Sequence, residues 1–173
     1  MGKETNSKSG QAANTENISF QCIDAIEISL QIEKEGLVFY EKASKKVSDP
    51  RVSQMFLNLA EEERQHIQIL QTKARYLQPA ISSKGKTRSH LDSFINEELR
   101  GKIFPLSEAK TVQEFTSDVE ALDYGIESEK RSIKLLGRLL ENEKKLDVKA
   151  IFSHLMVEEK KHLALLEDLK KKV

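Results

Sequence analysis

Six residues carry types and spacings suited to metal chemistry. Glu63 and His66 lie three apart, as do Glu159 and His162. Residues three apart on an α-helix share a face, so each Glu-x-x-His would present a carboxylate and an imidazole to one point in space. Glu33 and Glu129 stand inside apolar stripes, the first flanked by Ile26, Leu30, Leu37 and Tyr40, the second by Leu122, Ile126, Ile133 and Leu136. Glu63 and His66 likewise interrupt Phe56, Leu59, Ile67 and Leu70, while Glu159 and His162 interrupt Phe152, Leu155, Leu163 and Leu166. Each of four segments therefore aims an acid at the core, where leaving a carboxylate ionised and unpaired costs on the order of several kcal/mol. No Lys or Arg falls on these stripes near the acids. Two divalent cations would satisfy four carboxylates and two neutral imidazoles. Oxygen and nitrogen donors without thiolate suit iron or manganese, and zinc can be accommodated; the symmetric set gives each metal one His with bridging and terminal Glu.

A single Glu-x-x-His inside a charged string such as EEERQH is ordinarily a solvated helix face. Two of them, repeated together with two stripe-embedded glutamates, are not what a solvated face produces. His90 and His154 fall off the stripes and receive no role. Tyr40 is either a core aromatic with a satisfied hydroxyl or a group adjoining the metals. Cys22 reads as a small apolar filler near the start of the first helix.

The elements that position these residues follow from periodicity and punctuation. Residues 1–17 are small and polar, without apolar periodicity, and are expected to form a disordered leader before a bundle spanning 18–173. A first helix is expected within 19–47. Asp49-Pro50 then supplies an N-cap and a first-turn proline for a second helix running to about Gln78. From 79 to 110 the pattern weakens under Pro79, Gly85, Gly101 and Pro105, so this segment reads as a crossover in which only HLDSFINEEL is helical. A third helix is expected from about Thr111 to Asn142, with Val119 opening its stripe, and a fourth from about Leu146 to Lys171, giving hairpins at 19–78 and 111–172.

The second hairpin repeats the first at a constant offset of 96. That offset carries Leu30, Glu33 and Leu37 onto Ile126, Glu129 and Ile133, and Phe56, Glu62, Glu63 and His66 onto Phe152, Glu158, Glu159 and His162. Two duplicated helical hairpins joined by one long crossover predict an all-α, antiparallel four-helix bundle with an approximate twofold axis.

Composition excludes other classes. The 173 residues suffice for one domain, and 28 Lys plus Arg against 28 Asp plus Glu leave no field that would attract nucleic acid or an anionic membrane. One cysteine precludes an internal disulfide and any four-thiolate metal site, which points to a reducing cytoplasm. No apolar run approaches the ~18 residues of a membrane span.

At IEKEGLVFYEKA and LAEEERQHIQIL in the first half, and IESEKRSIKLL and LMVEEKKHLALLE in the second, the chain resembles the rubrerythrin group of the ferritin-like superfamily. The resemblance is to the branch without a rubredoxin domain and runs from about Ile18 to Lys172. It implies a ferritin-like bundle with two iron ions ligated by Glu33, Glu63, His66, Glu129, Glu159 and His162. The implied activity is reduction of hydrogen peroxide or dioxygen with electrons from an external donor such as a rubredoxin-like protein, in a homodimer. Ferritin-like iron binding, ferrous oxidation and storage or delivery is the alternative, although mixed charge in EEERQ and EEKKH forms no acidic funnel. Two departures stand out, the first being that full-length rubrerythrins carry a rubredoxin-type iron site with four cysteines and this chain has one cysteine. Peroxide-reducing rubrerythrins carry a further glutamate three residues after the third-helix ligand, where this chain has Ser132, with Gly36 at the matching place on the first helix. The family's aromatic seven residues past the first ligand is Tyr40, and its repeat partner is Leu136.

Overall fold

The structure, a computed structural model, describes residues 20–77, 88–104 and 115–173. The expected leader at 1–17, the ends of the crossover and the first residues assigned to the third helix lie outside them. Four long helices form the bundle: α1 (Cys22–Ala43), α2 (Pro50–Leu77), α4 (Asp118–Asn142) and α5 (Leu146–Lys170). The crossover contains α3 (Arg88–Phe94), which runs into a π-helical turn at Ile95–Leu99. This is the HLDSFINEEL piece. Among the described residues there is no strand.

The duplication is visible in the helix starts. Cys22 and Asp118 lie 96 residues apart, and so do Pro50 and Leu146. The chemistry at those starts is local. Asp49 Oδ1 accepts the Arg51 amide at 2.8 Å, as the Asp-Pro signal predicts, and Ser117 Oγ accepts the Glu120 amide at 3.1 Å. The latter sets the beginning of α4 at Asp118 rather than near Thr111. The first hairpin loop is tied to that same point, since Asp118 accepts the Ser48 amide at 2.7 Å and the Asp49 amide at 2.6 Å.

α1 packs along α2, and α4 along α5, with the hairpins meeting chiefly through α1 and α5. The predicted stripes hold on α2, α4 and α5 at Phe56, Leu59, Leu122, Ile126, Leu136, Phe152, Leu155 and Leu166, all buried. Val119 is instead exposed. The stripe on α1 holds at Ile26 and Tyr40, both buried, while Leu30 and Leu37 are half-buried, as are Leu70, Ile133 and Leu163 on the other helices; the covered surface of α1 is wider than expected and also takes in Ala25, Ile28, Ile32, Phe39 and Ala43. The cause is the crossover, which covers a second face of α1 and adds Leu91, Phe94, Leu99, Ile103 and Phe104 to the core. Cys22, in the first turn of α1, is half-buried, and burial pushes its thiol above the ordinary value.

Two contacts fix the crossover against α1. Gly101 turns the chain in the left-handed region at φ 69°, and its amide reaches Glu35 Oε1 at 3.1 Å. Beyond it, the buried Phe104 ring packs 5.7 Å from Phe39 and 5.9 Å from Tyr40. Phe104→Ala is expected to lower stability by about 3–5 kcal/mol in chemical denaturation, because the emptied volume lies between helix and strap. A loss below about 1 kcal/mol would mean that the strap is not part of the cooperative core.

Candidate metal centre

The bundle brings together all six residues singled out in the sequence. Glu33, Glu63, Glu129 and Glu159 are at most 2% exposed. His162 is as deeply buried, while His66 keeps a side-chain exposure of 20%. Their ligand atoms form two groups able to hold a metal ion: Glu63, Glu129, Glu159 and His162 in one, Glu33, Glu63 and His66 in the other. Glu63 belongs to both, whereas Glu159 belongs to one. The exact twofold sharing expected from the repeat is therefore broken.

Both imidazoles turn Nδ1 inward. His162 Nδ1 lies 3.4 Å from Glu63, 3.6 Å from Glu129 and 3.7 Å from Glu159, and His66 Nδ1 lies 3.3 Å from Glu33. The two rings face each other nearly parallel, with centroids 6.1 Å apart.

Partnering separates these acids from ordinary buried ones. Asp24 accepts the Gln21 amide, Glu35 accepts Gln31 Nε2 and the Gly101 amide, and Glu143 accepts the Lys144 and Lys145 amides. The other four buried acids among the described residues are Glu33, Glu63, Glu129 and Glu159. Each retains a buried oxygen with no hydrogen-bond partner, and so does Nδ1 of His66 and of His162. Only two further buried side-chain atoms among the described residues are unpartnered, the hydroxyls of Ser29 and Ser128. Native cores rarely leave such groups unsatisfied, so six convergent orphans of carboxylate and imidazole type fit a divalent metal pair. The ion pairs of Lys and Arg among the described residues lie on the outside of the bundle and none reaches these acids.

Outer partners aim the ligands. The Tyr40 hydroxyl donates to Glu129 Oε1, crossing from α1 to α4 rather than acting on its own helix. Tyr40 is thus both a fully buried core aromatic with a satisfied hydroxyl and a neighbour of a candidate ligand. Ser132 Oγ donates to Glu159 Oε1 at 2.8 Å. At Gly36, the matching place on α1, an added Cβ would sit 3.0 Å from Glu63 Oε1, so glycine leaves the room that this carboxylate occupies. Glu62 was missed by sequence reasoning. Its Oε2 lies 3.3 Å from His162 Nε2, the carboxylate–imidazole pairing that orients metal-ligating histidines. The available signal was its repeat mate, Glu158, which adds to the field on His66. His90 is exposed; His154 is also exposed but does have an acidic neighbour, with Nδ1 3.8 Å from Glu158.

Crowding sets the proton inventory without metal. Burial, then the neighbouring Glu33, holds the Glu63 carboxyl well above the usual range, and burial followed by Glu159 does the same to Glu129. Burial alone would lower His162, but the carboxylates of Glu129, Glu159 and Glu63 that face it outweigh burial and raise the imidazole strongly. His66 is raised by the Glu33 carboxylate beside it against the opposing effect of burial. Glu159 runs the other way: burial pushes it up, and hydrogen bonds from His162, Glu129 and Ser132 bring it below the ordinary value. Groups with raised pKa keep their protons to higher pH than they ordinarily would, and ligation requires them bare. Metal binding is therefore expected to release protons and to strengthen as pH rises, which calorimetric titration with Zn²⁺ in buffers of differing ionisation enthalpy would measure. Binding with no net proton release would contradict this inventory.

No helix among the described residues is long and apolar enough to cross a membrane. No curated protein and no solved structure matches the chain. The rubrerythrin family model matches residues 24–170, from the first turn of α1 to the last residue of α5. That family typically binds a pair of iron ions, in keeping with the two donor groups found at the middle of the bundle. That match covers well over half of the chain and takes in all four long helices, so this chain belongs to the rubrerythrin family.

Proposed function

We propose that this chain is a di-iron carboxylate redox protein that reduces hydrogen peroxide or dioxygen with electrons from an external donor. Glu33, Glu63, His66, Glu129, Glu159 and His162 would hold the iron. The observation that carries this reading is the set of six unpartnered, convergent ligand atoms. A pair of ferrous ions held by these residues would supply the two electrons that, with two protons from solvent, take peroxide to two waters.

The chain's own groups supply the rest. Burial of five of the six ligands keeps bulk water and large substrates out, and the partly exposed His66 marks where a small oxidant would approach. Tyr40 holds its proton on Oη, because burial and then Glu129 raise its pKa well above the ordinary value; it therefore serves as a donor that fixes Glu129. A single cysteine leaves no room for a four-thiolate electron-transfer site, so the reading requires a separate donor, such as a rubredoxin-like protein. A cytoplasmic homodimer is the assembly and setting that the reading entails. A large hollow oligomer in size-exclusion chromatography would favour iron storage instead.

Rapid anaerobic mixing of the reduced, iron-loaded protein with hydrogen peroxide should oxidise its iron far faster than free ferrous ion in the same buffer. Equal rates would overturn the redox reading. Tyr40→Phe should retain metal and slow that oxidation on the order of ten- to a hundredfold, since a ligand loses its outer hydrogen bond. An unchanged rate would reduce Tyr40 to core packing.

A further inference from the structure

Although the sequence repeats almost without interruption, the two halves of the centre are built differently. The pocket around His162 offers four donors and the pocket around His66 offers three. In the first, every donor except the shared Glu63 has an outer partner: Tyr40 on Glu129, Ser132 on Glu159 at 2.8 Å, and Glu62 on His162 at 3.3 Å. At the repeat-equivalent places around the second, Leu136 offers no hydroxyl and Gly36 offers no side chain. Glu158, the mate of Glu62, is drawn instead to Lys161 at 2.8 Å and towards His154. Exposure follows the same division, with side-chain values of 1% for His162 and 20% for His66.

These differences act in one direction. A ligand held in its rotamer by an outer hydrogen bond loses less freedom on binding, and such partners commonly contribute 10- to 100-fold in metal affinity. A donor with solvent beside it gives water a path to compete for the metal. The space at Gly36 leaves Glu63, the carboxylate common to both pockets, without the anchor that Ser132 gives Glu159.

Resting on the dinuclear reading above, we propose that the two halves bind metal unequally and in order. The pocket around His162 takes a divalent metal first and retains it, the pocket around His66 takes a second and exchanges it with solvent, and Ser132 is a positioning residue that sets this difference through Glu159. The chain can consequently rest with one metal in place, and the second position responds to the supply of free metal.

The test is an anaerobic titration of the metal-free full chain with Co²⁺, whose visible absorption reports each coordination environment, followed by a chelator chase. Two steps are expected, the first tighter by roughly 10- to 100-fold, with the second equivalent removed first by the chelator. His66→Ala should keep the first step within a few-fold and lose the second. Ser132→Ala should weaken the first step by about 10- to 100-fold, with the spectrum and affinity of the second unchanged. Two equivalents bound at a single affinity would overturn the inequality while leaving the dinuclear centre intact, and so would loss of the first step in His66→Ala. If the wild-type chain, folded by circular dichroism, bound no Co²⁺, the metal reading itself would fall, and the ordering with it.

Discussion

Glu63→Leu is expected to stabilise the metal-free chain, or leave it unchanged, and at the same time to destroy binding in both pockets. Without metal, Glu63 is an acid 1% exposed, lodged near Glu33 and Glu159, with one oxygen unpartnered. Leucine has similar volume and removes an acid that is crowded by Glu33 and Glu159 and whose burial outweighs its one contact with His162, so the replacement is expected to be neutral or stabilising. Gly36 leaves the space for the branched end. With metal the sign reverses. Glu63 is the donor common to both groups, so its loss weakens both. At a metal concentration a thousandfold above the dissociation constant, binding adds about 4 kcal/mol to the stability of the wild type, and the variant should forfeit most of it. Thermal denaturation with and without Zn²⁺ measures both arms. Destabilisation of the metal-free variant by several kcal/mol would make Glu63 a structural partner instead of a ligand.

His162→Ala should do the opposite to the metal-free chain. Its imidazole, raised into the cationic form, faces Glu63, Glu129 and Glu159 together, at 3.4–3.7 Å. Removing the positive partner from a buried charged cluster strands the remaining charges, at a cost of about 3–5 kcal/mol. The two substitutions should couple: adding Glu63→Leu to His162→Ala should recover part of the loss, because one of the stranded acids is gone, and a double-mutant cycle in denaturant would read this directly. Strict additivity would mean that the two side chains do not share a site. The contrast matters because a merely structural ion pair would be destabilised by removal of either member.

How far the sequence reached depended on periodicity. Glu33, Glu63, Glu129, Glu159 and both histidines were legible because each breaks an apolar stripe on a long helix, where spacing fixes the face, and because each recurs 96 residues on. The crossover's part in the core was not. Leu91, Phe94, Leu99, Ile103 and Phe104 enter the core from a short helix, a π-turn and a loop, which share no common period, and they widen the covered surface of α1 beyond the stripe that holds Ile26 and Tyr40. Glu62 was obscure for another reason: it precedes a ligand on the polar flank, and its contact with His162 depends on how α2 and α5 lie together in space. Likewise Tyr40 was visible as a core aromatic, but that its hydroxyl serves Glu129 on α4 rather than a group on α1 is a property of the packed bundle.

Equilibrium dialysis of the full chain against ferrous iron under anaerobic conditions tests the central claim most directly. With two donor groups sharing Glu63, saturation at two iron ions per folded chain is the expected result. Iron inside the dialysis chamber no higher than outside would contradict it, leaving four buried glutamates and two inward imidazoles without the partner their arrangement requires.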